Sequence, residues 1–382
     1  MKHRTLNIVA DENIPQLEAL FGPLGSIRRL PGRDMSPDAL VDADLLLVRS
    51  ITRVDRALLE GSRVRFVGTA TIGTDHVDLD YLAGRGIAFS SAPGCNADAV
   101  VEFVLTVLYQ LASEQGFSLR DKTLGIIGVG NVGGRLQQRL ERLGVRLLLN
   151  DPPRAAASPE GFVTLDELLS QADIVSMHTP LISDGPYPTR HLLGSLQLAQ
   201  LKRGAILLNA GRGGAIDNRA LLDVARRRQD LTLVLDVWEH EPVVDPELAQ
   251  RVRFCSPHIA GYSLDGKIRG TYMLYQAVRR LFGIGDAVAF ESCVPEATIR
   301  MVDVSAQVEP LELMRLLYDP FRDDRELRAT LGLPEAERGQ AFDRLRKNYP
   351  VRREFATLKV RGDLDESRAR ELAALGFSVE LA

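Results

Sequence analysis

The sequence predicts an α/β protein: two doubly wound parallel-sheet domains followed by a small C-terminal α+β domain. Three observations carry this prediction. Short apolar strands alternate with helical patterns over most of the 382 residues, which is how a parallel sheet covered on both faces is built. A glycine-rich turn, GVGNVG, stands between an apolar strand and a helix near residue 130. From about residue 290 the texture changes, and the closing stretch carries many charges of both signs.

Each element follows from its own residues. LNIVADE (6–12), LLLVRS (45–50) and VRFVGTA (64–70) read as strands, with helical patterns PQLEALFGPL and DRALLEG between them. GIAFSSAPG closes this unit near residue 94. NADAVVEFVLTVLYQLAS (96–113) reads as a helix with Asn96 or Asp98 as N-cap. It is apolar around most of its circumference, so it is expected between domains rather than on a surface. TLGIIG, VRLLLND, DIVSMHT, GAILLNA and LTLVLDVW then alternate with helices from Val132, at LDELLSQ and at NRALLDVARRR. That alternation describes a nucleotide-binding sheet. A helix over roughly 263–282 can return the chain to the first domain. ESCVPEA reads as a linker, and FATLKV, DESRARELAALG and FSVELA as strand, helix and strand. The expected division is 1–95 with 262–288, then 96–261, then 289–382.

Composition excludes several classes. A net charge of −4 is small for this length, so neither nucleic acid nor a membrane surface is an expected partner. The cysteines, Cys95, Cys255 and Cys293, are odd in number and form no CxxC. Neither a metal site nor a disulfide framework is expected, and a reducing cytoplasm is. No run has the length of a signal peptide or a membrane span.

The chemistry lies in a few motifs. Gly128, Gly130 and Gly133, with Asn131 and Val132 between them, match G-x-G-x-x-G in the strand–turn–helix context it requires. The first glycine permits the turn, the second lets a pyrophosphate approach, and the third lets helix and strand pack closely. The helix N-terminus offers N–H groups to phosphate. Asp151 ends the next strand, where a carboxylate accepts ribose hydroxyls and favours NAD over NADP. It also suits capping the turn before Pro152–Pro153. Thr179 ends another strand and can line the cofactor groove.

Arg212 lies between Gly211 and Gly213, just past a strand, as a guanidinium clamp for a carboxylate. Glu241 and His258 each flank a proline-bearing segment. A carboxylate beside an imidazole fixes its tautomer and suits proton exchange with a hydroxyl. Asp236 can face the nicotinamide carboxamide or cap a turn. Arg49–Ser50 and the turn around Thr71 follow strands and offer anion ligands or ordinary loop chemistry. His76 can stand near the same edge; His3, His178, His191 and His240 read as structural or exposed. RLRKNYPVRR (344–353) is a solvated basic face, or a source of a cation for a phosphorylated substrate.

NAGRGG, DVWEHEP and SPHIAG, in this order and spacing, resemble the D-2-hydroxyacid dehydrogenase family. DEN-P (11–15), VRSITRV, VGTATIGTDHVD, APGCNADAVVEF, DGPY and the LRKNY–RRE motif extend the resemblance to a subgroup acting on a phosphorylated acid. The resemblance implies a flavodoxin-like substrate domain, a Rossmann NAD domain and a C-terminal domain that makes a homodimer. It implies Arg212, Glu241 and His258 as catalytic, with His258 the proton donor and acceptor. It implies Asp151, Thr179, Ala210, Gly211, Arg212, Asp236 and Gly261 around NAD, and Ser50, Thr71 and Tyr262 at a small phosphorylated 2-hydroxy acid. Gly211 departs from the small Ser, Cys or Thr of relatives. The active site is expected in the cleft between the domains. 3-Phosphoglycerate and other D-2-hydroxy acids stay open as substrates. The fold also serves NAD-sensing co-repressors.

Overall fold

A computed structural model describes residues 5–284 and 288–381, so that His3 lies outside the described residues. The chain divides into two compact units: Met1–Asn96 with Ser263–Glu296, and Ala97–Tyr262 with Ala297–Ala382.

In the first unit β1 (Leu6–Asp11), β2 (Gly25–Leu30), β3 (Leu45–Val48), β4 (Phe66–Thr69) and β5 (Ala88–Ser90) form one sheet in the order β2-β1-β3-β4-β5. All its pairings are parallel, and this order is that of flavodoxin-like doubly wound sheets. Every residue of LLLV and FVGT is buried, as strands covered on both faces require. β2 is not among the predicted strands. It is GSIRRL at the sheet's edge, where Arg28 and Arg29 are exposed. An edge strand tolerates such charges, which guard it against pairing with another chain. DRALLEG forms a single turn of helix, Arg56–Leu59.

The helix Leu264–Phe282 belongs to this unit. Ser263 Oγ caps it by accepting the Gly266 N–H at 2.9 Å, and Gly283 ends it with φ of +62°. Its Ile268, Leu274, Tyr275 and Val278 share a core with Ile8, Leu45 and Phe66. Cys293, expected in a linker, is buried in that same core.

The second unit carries β6 (Thr123–Ile127), β7 (Arg146–Asn150), β8 (Ile174–Met177), β9 (Ile206–Asn209), β10 (Thr232–Leu235) and β11 (Phe254–Cys255), ordered β11-β10-β9-β8-β6-β7 and parallel throughout. An isolated bridge joins Phe162 to Leu149 of β7. Counting that bridge as a reduced strand gives the dinucleotide-binding strand order. The helix Ala97–Gln115 lies in the core of this unit, buried on nearly every side. Of the two expected N-caps, Asn96 stands immediately before the helix and Asp98 lies within its first turn. The Asn96 side-chain oxygen makes no hydrogen bond, and the Asp98 carboxylate instead accepts from Arg139 at 2.8 Å.

The C-terminal residues build a third sheet, β12 (Met301–Val304), β13 (Lys359–Gly362) and β14 (Ser378–Leu381), in that order and parallel. Its core is not separate. Met314, Phe355, Val360 and Leu375 are continuous with Phe103, Leu124 and Leu136. No helix among the described residues is long and apolar enough to cross a membrane.

Where the helix Ala97–Gln115 meets the C-terminal segment, a charged cluster is buried. Glu102 Oε1 accepts the Phe355 N–H at 2.8 Å, with Arg352 3.9 Å and Arg139 4.0 Å away. Burial, and then the Glu354 charge, push the Glu102 carboxyl from its ordinary 4.5 up to about 8. The folded chain therefore holds a proton that the unfolded chain releases, and this contribution to stability declines as pH rises from about 4.5 through about 8. Glu102→Gln keeps an acceptor for Phe355 and cannot ionise. Its urea midpoint should fall less than that of the parent between pH 5 and pH 8; parallel slopes would rule this out.

Candidate active site

The glycine turn follows β6 because only glycine suits its backbone. Gly128 has φ of +86°. A Cβ on Gly133 would lie 2.0 Å from the Gly128 carbonyl oxygen, so the helix Asn131–Arg142 can start this close to its strand only without one. Gly130 differs: a Cβ there would have no protein atom within 4 Å. The space beside Gly130 is open, as a bound pyrophosphate requires.

Asp151 at the end of β7 does two things. Its Oδ2 accepts the Val129 N–H of the glycine turn at 2.8 Å. Its Oδ1 caps the helix Pro152–Ala157 through the Arg154 N–H at 3.2 Å, so the capping alternative is present. The Arg154 guanidinium donates to the Val129 carbonyl and stands 5.5 Å over the Phe162 ring. It is tied into the turn. Thr179 follows β8 and is buried, and its Oγ1 makes no hydrogen bond. An orphaned buried hydroxyl, an open glycine turn and a carboxylate at the next strand end together fit a dinucleotide. Burial pushes His178 down to about 4, so its ring is neutral.

Asn209 at the end of β9 shapes the Arg212 loop. Its side chain accepts the Gly211 N–H at 3.0 Å and donates to the Arg212 carbonyl at 3.0 Å. Arg212 Nη1 donates to the Gly211 carbonyl at 2.9 Å. A Cβ on Gly211 would stand 3.0 Å from the Thr179 carbonyl oxygen, so the glycine there permits a tight seat. A Cβ on Gly213 would lie 2.0 Å from the Trp238 carbonyl carbon. That closeness sets the Arg212 loop against the loop bearing Glu241.

Glu241 and His258 meet as the sequence predicts. His258 Nδ1 lies 2.8 Å from Glu241 Oε2, while Glu241 Oε1 accepts the Trp238 N–H at 2.8 Å. Burial works against the Glu241 charge. His258, the Trp238 N–H and Arg346 outweigh it, and the carboxyl sits below its ordinary value. An ionised Glu241 draws the proton to Nδ1, which leaves Nε2 free to accept one. His258 itself has φ of +57°, a left-handed conformation that non-glycine residues seldom adopt.

Asp236 holds that conformation. Its buried carboxylate accepts from Ser256 Oγ at 2.6 Å, the Ile259 N–H at 2.8 Å and the Ala260 N–H at 3.0 Å. Its carbonyl accepts the His258 N–H at 2.7 Å. Both carboxylate oxygens are thus engaged by the loop, so the turn-forming role is the one the structure displays. Gly261 and Tyr262 continue this loop, and Ala210 opens the Arg212 loop with its N–H 3.4 Å from the Met177 carbonyl oxygen. His191 is bonded to Glu239, two residues before Glu241.

In the first unit, Ser50 and Thr71 follow neighbouring strands whose ends pair Val48 with Thr69. Thr71 Oγ1 is 2.7 Å from Thr69 Oγ1, which is 2.9 Å from His76 Nε2. Ser50 is exposed and Arg49 half-buried. Asn209 was not singled out in the sequence; Arg346 and Arg352 lie in the basic run 344–353, read there as a solvated face or a source of a cation for a phosphorylated substrate. Asn209 stands inside NAGRGG and could have been noticed there, whereas the basic run shows no local sign of what Arg346 and Arg352 touch.

A dinucleotide sheet with an arginine-bearing loop and a carboxylate–imidazole pair fits an NAD-dependent 2-hydroxyacid dehydrogenase. Residues 106–260 match the family model described as D-isomer specific 2-hydroxyacid dehydrogenase, NAD binding domain. Residues 294–376 match a domain of unknown function, DUF3410. The chain is 50% identical to an erythronate-4-phosphate dehydrogenase of Chromohalobacter salexigens, over 99% of this chain and 100% of that one. It is 51% identical to one of Azotobacter vinelandii, over 97% and 99%. In fold it is similar to an NAD-bound 3-phosphoglycerate dehydrogenase of Entamoeba histolytica, with a TM-score of 0.63 and 24% identity over 74% of this chain and 97% of that one. The chain belongs to the erythronate-4-phosphate dehydrogenase family, and its cofactor is NAD.

The open turn makes a prediction. Gly130→Ala should leave thermal stability nearly unchanged, because the methyl meets no protein atom. NAD should bind at least about tenfold more weakly, because the methyl takes the pyrophosphate's space. A melting curve and an NAD titration check both, and unchanged affinity would remove Gly130 from the cofactor site.

Proposed function

We propose that this protein oxidises 4-phospho-D-erythronate at C2, giving 2-oxo-3-hydroxy-4-phosphobutanoate, in pyridoxal 5′-phosphate biosynthesis. The observation that carries the reading is the 2.8 Å contact between Glu241 and His258, beside the loop that presents Arg212. Support also comes from about 50% identity to the named relatives over nearly the whole chain, C-terminal region included.

The Arg212 guanidinium holds the C1 carboxylate through its planar fork. The His258 Nε2 accepts the C2 hydroxyl proton. Glu241, already bonded to Nδ1, stabilises the imidazolium that results. When bound, NAD supplies the acceptor for the hydride leaving C2. The 4-phosphate needs further cations and donors, and Arg49, Ser50 and Thr71 are the candidates. A cytoplasmic homodimer completes the reading. Ile299, Met301, Leu316 and Val351 of the C-terminal segment are apolar and exposed, which suits an interface.

The test is NADH formation by the purified protein with 4-phospho-D-erythronate and 3-phosphoglycerate in parallel. The four-carbon acid should be preferred in kcat/KM. Preference for the three-carbon acid would retain the acid/base pair and overturn the substrate. No turnover of either, even with a 2-oxo acid present to reoxidise bound cofactor, would overturn the enzymatic reading.

A further inference from the structure

The basic run near the C-terminus is only in part a solvated face: Arg344 and Lys347 are exposed, but Arg346 is half-buried and Arg352 buried. The helix Glu335–Lys347 turns Gly339, Phe342 and Arg346 toward the segment that carries Glu241. A Cβ on Gly339 would stand 3.4 Å from Pro242 Cγ. Phe342 is buried in one core with Trp238 and Val244. One turn further along, the Arg346 guanidinium lies 5.7 Å over the Tyr262 ring. It hydrogen-bonds the Tyr262 side chain and lies within the field of Glu241.

The following residues hold the same loop. Tyr349 meets Tyr262 edge to face with ring centroids 5.7 Å apart. Its hydroxyl donates to Asp323 at 2.9 Å and accepts from Arg322 at 2.8 Å. Arg352 is buried and donates to the Ala260 carbonyl at 3.0 Å and the Ala99 carbonyl at 2.7 Å. The chain from 346 to 352 therefore grips residues 260 to 262 through Arg346, Tyr349 and Arg352, just past His258.

We propose that Arg346, supplied by the C-terminal segment of the same chain, is a charged positioning residue for the oxidation, orienting Tyr262 and setting the charge balance of the Glu241–His258 pair. The inference rests on the acid/base reading above. Its physical content is that one carboxylate faces both an imidazole and a guanidinium. A carboxylate facing an imidazole by itself favours the charged ring, which is no base. Arg346 takes up part of the Glu241 field and disfavours a second positive charge nearby. Glu241 still stabilises the imidazolium formed in the reaction. The charged and titratable groups facing Arg346 are Tyr262, Glu241 and Asp343. Those facing Glu241 are His258 and Arg346. The guanidinium is bonded to a hydroxyl of its own chain and lies in the field of its own Glu241, which is why a positioning role is argued here rather than a direct ligand role to the substrate phosphate.

The test uses the full-length protein with NAD, 4-phospho-D-erythronate and unphosphorylated D-erythronate. Arg346→Ala should lower kcat on both acids by roughly 10- to 100-fold. The acid limb of its kcat/KM profile should move up by about one pH unit, since loss of a nearby cation lets the pair hold its proton more tightly. Arg346→Lys keeps the charge and loses the fork. It should leave the acid limb in place while kcat remains below the parent value, and it stands in if the alanine variant does not fold. A loss confined to KM for the phosphorylated acid would overturn the proposal and make Arg346 a phosphate ligand. An unmoved acid limb in Arg346→Ala, or parent-like kcat in both variants, would also overturn it. His258→Asn is measured alongside: if that variant keeps its turnover, the acid/base reading itself has failed, whatever Arg346 does.

Discussion

His258→Asn should lower kcat by about 10²–10⁴ while leaving NAD bound. Asparagine is the informative replacement. His258 sits at φ of +57°, and asparagine tolerates the left-handed region better than most residues. Its backbone N–H can still donate to the Asp236 carbonyl, as the histidine does at 2.7 Å. Its side-chain amide can still donate to Glu241. The loop, the carboxylate and the cofactor groove are therefore kept, and only a basic nitrogen able to take the substrate's proton is lost. The chain has a single tryptophan, Trp238, whose indole N–H donates to the Ser256 carbonyl at 3.0 Å. Its fluorescence offers a direct report on NAD binding near the site. Unimpaired NAD binding with lost turnover is the expected result. Near-parent turnover would remove His258 as the base.

Arg212→Lys should lower kcat/KM by about 10²–10³ on both the phosphorylated and the unphosphorylated acid. The charge remains, but a lysine ammonium cannot present two parallel N–H groups to a carboxylate. Charge-assisted hydrogen bonds contribute about 1.5–3 kcal/mol each, so loss of one and weakening of the other accounts for that range. The loop itself should survive, because Asn209 holds it through the Gly211 N–H and the Arg212 carbonyl. The 2.9 Å contact from Arg212 Nη1 to the Gly211 carbonyl is removed. Equal loss on the two acids is the decisive feature, since both carry the C1 carboxylate. A loss seen only with the phosphorylated acid would place Arg212 at the other end of the substrate.

The sheets were legible because fully buried parallel strands are continuous apolar runs, and LLLV and TLGII are such runs. The turn chemistry was legible for a related reason: at Gly128 and Gly133 the backbone admits no side chain, so the residue type itself reports the geometry. β2 was illegible because an edge strand needs little apolar surface, and GSIRRL has little. DRALLEG looked like a helix and makes one turn, because local propensity sets no length.

Taken alone, the sequence determined the alternating α/β order and the glycine turn, and it put forward Arg212, Glu241 and His258 as the candidate catalytic residues, since these readings depend on residue type and motif. Only the tertiary structure decided three things. It showed that Asp236 uses both carboxylate oxygens to shape the His258 loop. It placed the C-terminal segment on the same core as the dinucleotide sheet. It brought Arg346 and Arg352 against Tyr262 and Ala260. In a linear reading an arginine in RLRKNYPVRR is one charge among many. Its burial and its partner are set by residues about ninety positions away, and no local pattern encodes a contact between segments so far apart in the chain.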